Sequence, residues 1–318
     1  MDPARRRFLA TLLLSAPLAR GRSHATARAE PLQRRRFSSG VELVTVTATV
    51  TDGKGRLVTD LSRDEFEIFE DGRPQAISQF SDARVPVSLA VLLDISQSMV
   101  GERLKDARTA IDRFLFELLE PADEFAVLVF NHEPTIVVRW TESADQVRPA
   151  LDALRGWGGT AIYDAVQASI PLFDRRHRQR AAAVVISDGA DTASDLTIRE
   201  LRRRLLVTDA FIYAIAIDKE DPRALSRRVN PFALREITDD TGGYTAVVHD
   251  TSELGPATAQ IAEELRHQYT LAYVPPQPPD DRFHGIRVRV TRAGHRVRAR
   301  RGYIASATSP SPRDPHRP

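Results

Sequence analysis

The sequence predicts an α/β fold: a doubly wound, mostly parallel sheet inserted in a small β domain that the N- and C-terminal flanks build together. Three observations carry that expectation. Four nearly continuous apolar runs, Ser88–Leu93, Phe125–Phe130, Ala181–Ile186 and Phe211–Ile217, have the composition of strands buried on both faces. Stretches of helical periodicity at 102–119, 143–154, 161–173 and 196–206 alternate with them, as right-handed βαβ crossovers require. Segments that alternate apolar and polar residues with period two stand before and after this block.

In chain order, residues 1–29 read as an export signal. Arg5, Arg6 and Arg7 form a charged start, Phe8 to Ala19 an apolar run, and Ala27 and Ala29 an A-x-A step before Glu30. The apolar run is shorter than the ~20 residues that span a bilayer, and no other stretch is long and apolar enough. The segment RRRFLA resembles a twin-arginine signal with Arg5 and Arg6 as the pair, although Ala4 and Ala10 depart from that pattern. The expected location is therefore periplasmic or secreted.

Residues 37–85 form an N-terminal β segment. VELVTVTATV at 41–50 alternates as a half-buried strand, Asp52-Gly53-Lys54-Gly55 is turn chemistry, and Phe66–Glu70 is a second strand ending at Asp71-Gly72. A third strand is expected over Ala76–Phe80. The α/β block then occupies 86–267, closed by a helix near 252–267. A C-terminal β segment, 268–305, contains a strand at Tyr269–Val274 and a Pro-rich turn at 275–281. Strands Ile286–Val290 and Arg296–Arg300 flank Ala293-Gly294 as an expected hairpin. The Ser/Pro/Arg-rich stretch 306–318 is expected to be disordered. Each β flank is too small to fold alone, so the two are expected to pair.

Composition narrows the chemistry. The 318 residues contain no cysteine, which excludes disulfides, thiolate metal sites and a Cys nucleophile. The formal charge of +2 is unevenly spread: 1–29 carry six Arg against one Asp, 282–318 ten Arg against one Asp, and 30–281 sum to −12. An acidic body with a basic end is not the footprint of a nucleic-acid binder.

In an open α/β sheet, ligands collect beyond the carboxyl ends of the strands. Strand 88–93 runs into Asp94-Ile95-Ser96-Gln97-Ser98, Gly156-Trp157-Gly158-Gly159-Thr160 precedes a helix, and strand 181–186 runs into Ser187-Asp188-Gly189-Ala190-Asp191. Together they bring carboxylates and hydroxyls to one edge, with no imidazole or thiolate. Such a set suits a hard cation: Mg²⁺, with Mn²⁺ or Ca²⁺ as substitutes. Neutral hydroxyls offset the cation's charge incompletely, so it keeps affinity for one more anionic oxygen.

D-x-S-x-S, then G-G-T, then S-D-G, in this order, resembles the metal-ion-dependent adhesion site of von Willebrand factor type A domains, over about 86–250. The resemblance implies that family's Rossmann-like layout. It also implies that Ser96 and Ser98 bind Mg²⁺ directly, that Asp94 binds mainly through water, and that Thr160 enters or leaves the coordination sphere. Asp188 stands behind the ion, and a protein partner supplies an Asp or Glu to the remaining position. The flanks VELVTVTATVTDGKGRLVTDLSRDEFEIFEDG and ELRHQYTLAYVP resemble those of a bacterial group of von Willebrand factor A-related proteins common in acidobacteria. That likeness implies export and no particular activity.

Other readings stand beside this one. Asp94, Ser96 and Ser98 can cap a helix; Asp191 reads as loop chemistry, Asp164 as a helix-start residue, and His132 as an exposed loop residue. Gln97 and Trp157 are candidate partner contacts, Trp157 equally a loop anchor. Arg287, Arg289, Arg296, Arg298 and Arg300 read as solvated strand faces, with contact to an anionic surface as the option. The expected function is a non-enzymatic binding module. The alternatives are an envelope-assembly protein with a fold-stabilising metal and a metal-dependent phosphohydrolase. The last lacks an acid/base Asp at position 96, a Lys near the later loops and a G-x-S-x-G elbow.

Overall fold

A computed structural model describes residues 43–188, 190–218 and 231–305. The export signal with Arg5 and Arg6, Gly189 and the stretch 306–318 lie outside the described residues. The chain opens with β1 (Val44–Thr51), β2 (Phe66–Glu70), β3 (Arg73–Gln75) and β4 (Ile77–Ser81). The α/β block begins with β5 (Val87–Asp94), α1 (Glu102–Arg113), β6 (Glu124–Phe130), β7 (Pro134–Thr141), α2 (Ala144–Ala153) and α3 (Ile162–Phe173). It continues through β8 (Arg180–Ser187), α4 (Ile198–Leu205), β9 (Phe211–Ile217), α5 (Pro231–Thr241), β10 (Thr245–Val248) and α6 (Leu254–Arg266). Last come β11 (Tyr269–Tyr273), β12 (Phe283–Val290), β13 (Arg296–Ala299) and β14 (Gly302–Ile304).

The block's sheet has six strands in the order β10-β9-β8-β5-β6-β7, parallel throughout except for antiparallel β7 at one edge. Every residue of β5 is buried. Val87, Leu89, Val91 and Leu93 pack with α1, α2 and α6 on one face, while Ala90 and Leu92 pack with α3, α4 and α5 on the other. A strand with core on both faces has no polar positions to alternate with, which is why it reads as an unbroken apolar run.

The flanks meet in two four-stranded sheets, β13-β1-β11-β4 and β14-β12-β2-β3. Both contribute to one cluster containing Val46, Ala48 and Leu271 from the first and Phe66, Ile68 and Val288 from the second, so they form a small sandwich. N- and C-terminal strands alternate in the first sheet, where β1 lies between β11 and β13, and meet once in the second, where β12 pairs with β2.

Several elements differ from expectation. The strands at 286–290 and 296–300 do not form a hairpin with each other. β12 pairs with β2 and β14, whereas β13 pairs with β1, because the chain crosses between sheets at Thr291-Arg292. There the Thr291 N–H donates to the Glu65 carbonyl, and Arg292 is held by Asp60 and Glu65 at 3.0 and 2.8 Å. The helix expected over 102–119 ends at Arg113 and widens into a π-type turn over Phe114–Leu118. β3, β7, β10, β14 and α5 were not anticipated; β7 opens on a proline and is largely outside the core, as an edge strand can be. Arg298 and Arg300 are not solvated either. Arg298 pairs with Glu264 and lies over the Tyr244 ring, and Arg300 donates to the Thr45 carbonyl. Arg287, Arg289 and Arg296 remain exposed, divided between two sheets.

Polar links join the sandwich to the block. Buried Gln268 donates to the Tyr213 hydroxyl at 3.1 Å and to Thr49 at 3.4 Å. Arg180 donates to the Thr270 hydroxyl of β11 at 3.2 Å, and Arg298 reaches Glu264 at 2.6 Å. Glu264 is almost wholly buried, and burial raises its carboxyl above the usual carboxylate range. Removing its partner strands a buried charge, a change that typically costs about 3 kcal/mol or more. Arg298→Ala is therefore expected to lower unfolding free energy in urea by about 3 kcal/mol. Adding Glu264→Gln should recover most of that loss. A single-mutant loss within experimental error would show that the pair contributes little.

Candidate metal centre

The sheet's strand order places the carboxyl ends of β5 and β8 side by side, and the expected site residues lie in the loops that leave them. Asp94, the last residue of β5, is fully buried. Its Oδ1 accepts the Ser96 N–H at 2.7 Å and its Oδ2 accepts the Ser187 hydroxyl at 2.6 Å. Ser96 and Ser98 face one another with their hydroxyl oxygens 3.0 Å apart. Ser98 donates to Asp188 Oδ1 at 2.7 Å, which ties the first loop to the one after β8.

The middle loop is laced to both. The Trp157 N–H donates to the Ile95 carbonyl at 2.9 Å, and the Gln97 N–H to the Gly158 carbonyl at 3.0 Å. Thr160, nearly buried, exchanges bonds with Thr192: its N–H donates to the Thr192 hydroxyl, and its carbonyl accepts the Thr192 N–H. Two glycines permit this approach. A Cβ at Gly156 would stand 2.7 Å from the Val100 side chain, and Gly158 has φ +80°, where other residues are strained. Asp94, Ser96, Ser98, Thr160 and Asp188 thus belong to three mutually bonded loops at one edge.

Two carboxylates in so dry a place carry an electrostatic penalty. Burial pushes Asp94 up to about 7, and burial likewise raises Asp188. The donors fit a hard divalent cation: all are oxygens, two are hydroxyls in contact, and two negative charges stand against a single neighbouring cation among the described residues. That cation is Arg103, whose guanidinium reaches Asp188 at 2.7 Å and the Ser98 carbonyl at 2.9 Å. Sequence reading missed Arg103, because an arginine in the first turn of an amphipathic helix looks solvated. It also missed Ser187, which anchors Asp94.

Neighbouring carboxylates do structural work. Asp191 Oδ1 accepts the Ile162 N–H at 2.7 Å and so caps α3, and Asp164 accepts the N–H groups of Asp195 and Leu196. Gln97 is exposed, as is Trp157 at 56%; the indole packs edge-on to His132 with ring centroids 4.6 Å apart. Val100, at 49%, is also exposed on the first loop.

A doubly wound sheet whose carboxyl edge carries this hydroxyl-and-carboxylate loop set defines a class of α/β ligand-binding domain. Residues 89–190 match the family model of the von Willebrand factor type A domain. Domains of this family are protein-interaction modules. The chain is 24% identical over 123 residues to inter-alpha-trypsin inhibitor heavy chain H4 of Bos taurus, covering 35% of this chain and 13% of that one. It is 28% identical over 117 residues to an uncharacterized protein of Synechocystis sp., covering 36% and 28%. The matches thus span less than a third of either relative. Among solved structures, von Willebrand factor type A from Catenulispora acidiphila superposes with a TM-score of 0.51 at 13% identity, covering 86% of this chain and 76% of that one. Among the described residues no helix is long and apolar enough to cross a membrane.

The raised carboxyl has a consequence for stability. An acid whose folded pKa exceeds its unfolded value of 3.8 imposes no penalty below that value. The penalty grows through the interval up to about 7 and is complete above it. With chelator present, the wild type is expected to lose on the order of 4 kcal/mol relative to Asp94→Asn as pH rises from ~4 to ~7. Urea titrations at several pH values measure the difference. Parallel pH profiles for the two proteins would mean that Asp94 stays ionised without strain.

Proposed function

We propose that the protein is an exported, non-enzymatic binding module that presents a divalent cation to an Asp or Glu carboxylate of a protein partner. Asp94, Ser96, Ser98, Thr160 and Asp188 would hold the ion, with Mg²⁺ the natural occupant and Mn²⁺ or Ca²⁺ able to replace it. The observation that carries this reading is the pair of buried carboxylates, Asp94 and Asp188, bonded to Ser96 and Ser98 at the open edge of the sheet. A cation there would be offset by two carboxylates, one of them already paired with Arg103. It would keep a strong demand for an anionic oxygen from outside. The exposed side chains of Trp157, Val100 and Gln97 supply contact area around that point, and an exposed tryptophan is an effective anchor. Export rests on the signal-like residues 1–29.

Calorimetric titration with Mg²⁺ and Mn²⁺, wild type against Asp94→Ala, is the first test. Saturable binding at one equivalent is expected for the wild type, with loss of at least about 100-fold in affinity for the variant. Absence of binding by the wild type removes the basis of the proposal. A partner captured from the organism's envelope fraction should be released by chelator and weakened by Trp157→Ala. A metal that raises the melting temperature while capture ignores both chelator and Trp157 would instead favour a purely structural ion.

A further inference from the structure

A second group of ligand-type side chains lies in the sandwich, on residues the first site does not use. Glu70 ends β2, Asp71 begins the two-residue turn into β3, and His284 lies on the neighbouring strand β12. One ligand atom from each lies within 4.8 Å of the other two. His284 Nδ1 stands 2.8 Å from Asp71 Oδ2 and 3.7 Å from Glu70 Oε1. Ligands bound at ~2.1 Å stand about 3.0 Å apart at right angles and about 3.4 Å apart in a tetrahedron, and the two separations bracket those values.

Each of the three is also held from behind. Glu70 Oε2 accepts the hydroxyls of Tyr273 and Tyr303, which fixes the carboxylate plane. Asp71 Oδ1 accepts the Gly285 N–H at 2.8 Å. His284 Nε2 meets Asp280 Oδ1 at 3.0 Å, so that N–H is engaged and Nδ1 is the nitrogen turned to the ligands. Such a carboxylate–histidine pairing commonly stands behind a metal-bound imidazole. One observation points beyond these mutual bonds. Glu70 is 97% buried, and its Oε1 meets His284 Nδ1 at 3.7 Å, as an ion pair beyond hydrogen-bond distance.

We propose that Glu70 Oε1, Asp71 Oδ2 and His284 Nδ1 bind a divalent transition-metal ion of the zinc class, at a site separate from the loops around Asp94. Three carboxylates, those of Glu70, Asp71 and Asp280, share one imidazole here, and a protonated imidazole supplies a single positive charge. A divalent ion would take the Glu70 oxygen as a direct ligand and displace only the Nδ1 proton, which leaves to solvent; the Nε2–H···Asp280 bond is retained. Imidazole among carboxylates selects Zn²⁺, Co²⁺ or Mn²⁺ over Mg²⁺, in contrast to the all-oxygen set at the sheet edge. Three protein ligands leave a coordination position for water on the side where Asp71 is half exposed. The ion would clamp the Asp71-Gly72 turn to β12.

The test uses the full chain carrying Asp94→Ala, so that its outcome is independent of the first site. ZnCl₂ is titrated by calorimetry and CoCl₂ by visible absorption. One equivalent of Zn²⁺ should bind, at least about 10-fold more tightly than Mg²⁺, and Co²⁺ should develop ligand-field bands. His284→Gln and Asp71→Asn should each weaken Zn²⁺ by about 100-fold or more, and Asp280→Asn by about 10- to 100-fold. Asp71→Asn keeps the assay valid if His284→Gln fails to fold, because Asp71 sits at φ +48°, a conformation Asn tolerates. Absence of Zn²⁺ binding, or binding indifferent to Asp71→Asn, overturns the proposal and leaves His284 as an imidazolium cross-link.

Discussion

The edge of the α/β sheet is organised around one carboxylate kept out of water. Asp94 ends the central strand, with β6 on one side and β8 on the other, and its two oxygens are held by the Ser96 amide and the Ser187 hydroxyl. Those two bonds set the direction in which the chain leaves β5 and bring Ser96 against Ser98. Through Ser98 and Asp188 they then draw in the loop after β8. The parallel sheet makes this arrangement available, since only parallel strands deliver successive loops to the same edge.

A second constraint is the way the sandwich shares its strands. Neither flank could form a sheet with both faces and both edges satisfied, so β1 recruits β11 and β13, and β2 recruits β12. The polar links to the block, through Gln268 and Tyr213 and through Arg298 and Glu264, are buried and hence directional. They orient the sandwich in a way that apolar packing alone would leave adjustable.

Much of this was legible in the sequence. β5, β6, β8 and β9 announced themselves because burial on both faces confines polar residues to their ends, and each was read to within a residue of its ends. The five residues from Asp94 to Asp188 could be singled out because chain order on a parallel sheet puts their loops on one edge. What was hidden follows from physics that a linear pattern does not encode. β7 carries the β-branched and aromatic residues of a strand, but its opening proline and mixed exposure break the period-two pattern that marks the others. The period-two pattern at 286–290 and 296–300 is equally consistent with a hairpin and with two strands entering different sheets; the choice is made by Arg292 gripping Asp60 and Glu65, over 200 positions away. Arg103, Ser187 and the group around His284 share that difficulty, for their partners are distant in sequence and close in space.

One feature of the sandwich bears on how the protein would carry load. β4 leads into the α/β block and β11 leads out of it, and the two are antiparallel neighbours with Ser81 opposite Thr270. The block is therefore a loop of chain closed at its neck by a pair of strands. Tension applied along the polypeptide from either side passes across that neck, from strand to strand, and does not traverse the sheet bearing Asp94. A partner held at the sheet edge would pull on the block from outside, while stretching of the flanking chain leaves its geometry unchanged until β4 and β11 part. The loops at that edge are mechanically sheltered by the placement of their own entry and exit.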